Sequence, residues 1–105
     1  MTVNTMPAAR LMVSGPLQPD GAPEAREARR GMAILDAAGD PVGTLAGVLI
    51  DGNSGRPTHL VLCCDTAAGD YRLVAVEQVA RLDATTVRLR LTAAGVATLP
   101  RHHPD

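Results

Sequence analysis

The sequence predicts an all-β protein: a small antiparallel β-barrel of about five or six strands with a short C-terminal helical turn. Three observations carry that expectation. Short apolar runs recur about every 8–12 residues, with Gly, Pro, Asn or Asp between them. The longest run, residues 42–50 (VGTLAGVLI), is apolar on both faces and contains Gly43 and Gly47, as in a strand that bends round a barrel corner. Finally, no stretch keeps a helical period for the dozen or so residues that a crossover between parallel strands requires.

At 105 residues, one domain is expected. Ten glycines and eight prolines gather at the N-terminus and in turns, which leaves an ordered core of about 70 residues. Such a body buries only about 60–65% of its unfolded surface, so association into a homodimer is expected. Phe and Trp are absent and Tyr71 is the single aromatic, so the core must be aliphatic. A formal net charge of −1 argues against binding nucleic acid through phosphate contacts. The lack of aromatic platforms for base stacking argues the same way. No apolar run approaches the ~20 residues of a membrane span. The N-terminus lacks the charged start and apolar stretch of a signal peptide, so a cytoplasmic location is expected.

Along the chain, residues 1–9 show no periodicity and residues 10–14 (RLMVS) read as a short edge strand. Residues 15–31 (GPLQPDGAPEAREARRG) are rich in Pro, Gly and charge and read as a linker; any helix over 24–30 would be too short to persist alone. Residues 1–30 are therefore expected to be a flexible arm, and 31–100 the domain. Residues 32–36 (MAILD) form a strand and 37–41 (AAGDP) a turn. After the long strand, 51–56 (DGNSGR) makes a hairpin turn. Residues 57–65 return, with Leu60, Leu62 and Cys64 on one face and His59, Val61 and Cys63 on the other. Residues 66–70 turn again, 71–76 (YRLVAV) form a strand with Arg72 toward solvent, 77–79 bend, and 80–83 pair briefly. Residues 86–91 (TVRLRL) are the cleanest amphipathic strand: Val87, Leu89 and Leu91 inward, Arg88 and Arg90 outward. Thr92 caps one helical turn that Pro100 ends, and 101–105 (RHHPD) is a free tail.

The frame GMAILDAAGDPVGTLAGVLIDGNSGRPTHLVL, with YRLVAVEQV, LDATTVRLRLT and TLP after it, resembles a PRC-barrel domain. The shared features are a strand ending in Asp36, then Gly39 and Val42-Gly43, a longer strand ending in the VLID of residues 48–51, and a glycine-bearing turn. Leu60-Val61-Leu62, a short strand leading into Val79 and the closing strand 86–91 complete the match, which covers about residues 31–100. Glu77 stands where a proline is common, and Ala46-Gly47 where such domains often carry a charge. The resemblance implies a barrel that docks on a larger partner, as in the H subunit of photosynthetic reaction centres and the ribosome-maturation protein RimM. The chain is most similar to short stand-alone bacterial members. The family has no shared catalytic motif, so the resemblance implies a non-enzymatic adaptor without a cofactor. The alternative is a ribosome- or RNA-associated module, by analogy with RimM.

Other chemistry-bearing residues have plain structural readings. Cys63 and Cys64 are adjacent, which is not a disulfide framework; on a strand they point to opposite faces and cannot easily chelate one ion. Asp36, Asp40, Asp51, Asp65 and Asp70 fall at strand ends and turns, where the side chain bonds nearby backbone N–H groups. The DGNSG turn lacks the later ligands of a calcium-binding loop. Gly39, Gly43 and Gly47 precede a strand, whereas a phosphate cradle needs a helix. His59 reads as a surface or interface residue and His102-His103 as solvated tail. No catalytic, cofactor or metal site is expected, and a small-ligand or metal-binding protein ranks last. The best local expectation is a partner-docking patch of Arg72, Arg88 and Arg90, joined by Arg81: arginine on an outer strand face suits ion pairing with a partner and discourages unwanted strand addition.

Overall fold

The computed structural model describes residues 10–19, 21–64 and 69–102. Their strands are β1 (Arg10–Met12), β2 (Ser14–Leu17), β3 (Arg26–Arg29), β4 (Ala33–Leu35), β5 (Pro41–Ile50), β6 (Pro57–Cys64), β7 (Tyr71–Ala75), β8 (Val79–Leu82) and β9 (Thr86–Leu89). A 3-10 turn, Val76–Gln78, joins β7 to β8, and the helix α1 (Ala93–Ala97) follows β9.

The main sheet runs β7-β6-β5-β4-β9-β8, with β1 beside the second half of β5; β2 and β3 form a separate hairpin. Among the described residues no ladder joins β7 to β8, so the sheet stays open. One pairing departs from the antiparallel expectation: β4 and β9 run parallel, Ile34 beside Val87. The strand that follows β4 directly, β5, returns antiparallel on one edge. The other edge is filled only after the chain has passed through β6, β7 and β8, which supplies the long connection a parallel pair needs. β5 shifts register against β6 between Leu45 and Gly47 and again between Leu49 and Ile50. These irregularities bend the strand, as its glycines suggested.

Residues 15–31, read as linker, instead supply most of β2 and all of β3, which pair as a hairpin with Gly15 opposite Ala28 and Leu17 opposite Arg26. Leu17 and Ala28 join the main hydrophobic cluster. Two features that looked like linker chemistry permit this. Pro16 occupies an exposed strand position in a two-stranded ribbon, where proline is tolerated. Gly15 lets the hairpin lie close over β5, since a Cβ there would stand 3.2 Å from both Val48 Cγ1 and Ile50 Cδ1. Residues 101–102, read as free tail, lie along β7: Arg101 bridges Arg72, Leu73 N donates to Pro100 O, and His102 N donates to Tyr71 O at 2.8 Å. That covers the outer edge of β7. Residues 1–9 and 103–105 of the expected arm and tail lie outside the described residues.

The core is aliphatic, as the composition requires. Ile34, Leu45, Val48, Leu60, Leu62, Val74, Val79, Val87 and Leu89 fill the inner face of the sheet, and Val96 of α1 closes one end. Each such side chain contributes about 1.5–3 kcal/mol by leaving water. At Gly43 the strands approach so closely that a Cβ would collide with the carbonyl oxygen of Cys63. Asp36 is buried but satisfied: its Oδ1 accepts from Ala38 N at 2.9 Å and Asp40 N at 3.0 Å, which fixes the turn between β4 and β5. Thr92 caps α1 as expected, accepting from Gly95 N at 3.2 Å.

Candidate interaction surfaces

The pleat decides which side chains leave the core. β6 pairs Leu62 with Arg72 and Leu60 with Val74, so Arg72 shares the inner parity. The solvent-facing position expected for it is corrected. Its side chain is only 14% exposed and is fully engaged. Nε donates to Asp70 Oδ1 at 2.9 Å and Nη1 to Ala97 O and Leu99 O at 2.9 and 3.0 Å. Arg72 thus satisfies carbonyls that a helix C-terminus leaves without partners. Its hydrogen bond holds the Asp70 carboxyl below its ordinary pKa, and Asp70 in turn raises that of Arg72. Arg72 ties the end of the sheet to α1, and three strands, β6, β5 and β4, separate β7 from β9.

Arg88 and Arg90 are exposed, while Val87 and Leu89 are buried, as the alternation of β9 dictates. Arg88 Nη2 donates to Ala37 O at 2.7 Å, across the turn fixed by Asp36. Arg81 stands directly opposite Arg88 on β8 and pairs with Asp83 at 3.0 Å. Like charges directly opposed across strands are unfavourable, and Asp83 beside Arg81 offsets part of that repulsion. The registers place Pro41, Leu35, Arg88 and Arg81 in one row across β5, β4, β9 and β8. An apolar stretch rimmed by arginine has the composition of a protein interface.

The same outward side over β1, β5, β6 and β7 differs. One row holds Leu11, Leu49, His59 and Ala75; the next Gly47, Val61 and Leu73; the third Thr44, Cys63 and Tyr71. None of these is Arg, Lys, Asp or Glu. Val61 is 1% exposed yet lies outside the main core cluster, so it packs on the outer side. Leu11 lies over Gly47, where a Cβ would come within 2.6 Å of Leu11 Cδ1. Among the described residues, Leu11, Met12 and Val13 are the large apolar side chains left most open, at 49%, 45% and 61%.

Cys63 faces outward. Cys64 faces inward and lines a cavity of about 280 Å³ with Pro41, Val42, Arg72 and Val96. Among the described residues no three His, Cys, Asp or Glu side chains converge, and no helix is long and apolar enough to cross a membrane. His59 Nδ1 lies 3.1 Å from Thr58 Oγ1. Asp51 accepts from Ser54 N and Oγ, which lowers its pKa and closes the hairpin turn. The sequence matches no family model and no curated protein.

Proposed function

We propose that this chain is a non-enzymatic, PRC-barrel-like interaction module of the cytoplasm that forms a homodimer and docks on a protein partner. The observation that carries the reading is the division of the outward sheet surface: an uncharged apolar part over β1, β5, β6 and β7, and an arginine-rimmed part over β4, β9 and β8. The β2–β3 hairpin supports the barrel-like part of the reading. One cavity is bordered by Leu17 of the hairpin, Pro57 of β6 and Val79 of β8, so the hairpin borders strands from both halves of the sheet. Arg88 and Arg90 dock the partner, with Arg81 beside them; Arg72 does not take part. Sedimentation velocity tests the self-association: a dimer at micromolar concentration supports it and a clean monomer removes it. Loss of partner capture in Arg88→Glu/Arg90→Glu, with the fold intact, tests the docking part.

The clustering of Arg81, Arg88 and Arg90 also favours a second reading, a ribosome- or RNA-associated module. That reading expects co-sedimentation with ribosomes that weakens steeply with salt.

A further inference from the structure

We infer that the homodimer forms face to face: the outward side of β1, β5, β6 and β7 packs against the same side of a second copy. This inference rests on the self-association proposed above and names its surface and its partner, a second copy of this chain.

Charge selects the occupant. A two-fold interface sets a patch against itself, so any formal charge near the axis meets its own kind. Over β4, β9 and β8 a second copy would bring Arg88 and Arg81 against Arg81 and Arg88, with one Asp83 per copy beside them, a juxtaposition that disfavours self-pairing. Over β1, β5, β6 and β7 the three rows carry no Arg, Lys, Asp or Glu, so the same operation costs nothing electrostatically. Strands apolar on both faces are characteristic of sheets covered on both sides. β6 has this pattern, with Leu60 and Leu62 inward and Val61 and Cys63 outward. Among the described residues β2, β3 and α1 lie over the inward side, while on the outward side Val61 is sheltered only by its strand neighbours.

Area sets the strength. Four strands about 4.8 Å apart and three rows about 7 Å apart give a patch of about 400 Å² per copy. Because Gly47 and Val61 are already buried in the single chain, the pair would bury less than about 800 Å², below the ~1,200–2,000 Å² of tight complexes. The dimer is therefore a micromolar one, whose population changes over ordinary working concentrations.

Complementary charge substitutions test the geometry. Leu73 lies in the middle row, and Leu11 at the open edge, where a change least disturbs folding. Sedimentation velocity on wild type, Leu73→Glu, Leu73→Lys, Leu11→Glu and Leu11→Lys, each checked by circular dichroism, should show a dissociation constant raised at least about tenfold in every variant. An equimolar mixture of the Glu and Lys variants should recover association at whichever position lies near the two-fold axis, where a side chain meets its own counterpart. Ala94→Glu, exposed on α1, should dimerise like wild type. If the Leu73 variants misfold, the Leu11 pair tests the same face. A wild-type dimer unaffected by charge at Leu73 and Leu11 overturns this inference and leaves self-association standing. Loss at Leu11 alone moves the seam to the β1 edge and also overturns it. A wild type that stays monomeric overturns the self-association reading, and this inference with it.

Discussion

β6 and β9 obey the same pleat and present opposite chemistry to solvent. β9 and the residue after it alternate Val87, Arg88, Leu89, Arg90, with aliphatic side chains inward and guanidinium groups outward. β6 runs His59, Leu60, Val61, Leu62, Cys63, Cys64 and is apolar or neutral on both sides. Folding needs only the inward sets, Leu60 and Leu62 on one strand, Val87 and Leu89 on the other, and these share one core. The outward sets are free of that demand. Under the proposed function that difference gives the two surfaces two kinds of neighbour, a copy of the chain on one and a protein partner on the other.

The largest effect separates the two sides of β6. Leu62→Ala removes a fully buried core side chain and should lower unfolding free energy by about 2–5 kcal/mol. In urea melts that loss should not depend on protein concentration. Cys63→Ser, one residue along, facing outward and only partly buried, should show a smaller loss that grows with concentration, because the proposed second copy covers that side. Equal, concentration-independent losses would erase the distinction.

Next is the turn beneath Arg88. Asp36→Ala leaves the backbone N–H groups of Ala38 and Asp40 without their buried acceptor and should cost about 1–3 kcal/mol. It should also loosen Ala37, whose carbonyl holds Arg88, and so weaken partner capture in the folded fraction. Intact capture would mean that Arg88 needs no positioning from this turn.

A smaller effect distinguishes the arginines. Arg72→Gln breaks the tie between Asp70 and the end of α1 and should lower the thermal midpoint measurably. Arg90→Gln should stay within about 0.5 kcal/mol of wild type and affect only docking. The pH dependence follows the same line. Asp70 titrates below its ordinary value of 3.8 because Arg72 bonds the charged form. Its contribution is therefore complete above that value and is lost as pH falls through the lower, folded pKa. Asp70→Asn should flatten that part of the acid unfolding curve; an unchanged curve would show that the pair adds nothing to stability.

These residues also show what could be read in advance. The hairpin turn at Asp51, the cap at Thr92 and the inward and outward sets of β9 follow from local chemistry, which sequence carries directly. Arg72 did not, because its orientation depends on its register against Leu62 and on carbonyls more than twenty residues away. The β2–β3 hairpin was hidden for a related reason. Its Gly and Pro content reads as linker until β5 is known to lie beneath Gly15, and its burial depends on only Leu17 and Ala28. The parallel β4–β9 pair is a non-local fact with no local signature. The apolar outward face was visible at residues 42–50 and 57–64, but there it signalled curvature; only the register of four strands assembles it into one surface.

Hydroxyl-radical footprinting of the wild-type protein, below and above the dimerisation midpoint, tests the division of the outward surface most directly. Tyr71, Leu73 and Leu11 should become protected as concentration rises, while Leu35 and Pro41, in the arginine-rimmed row, react equally in both states. Protection of Leu35 and Pro41 with Tyr71 and Leu73 unchanged would contradict that division.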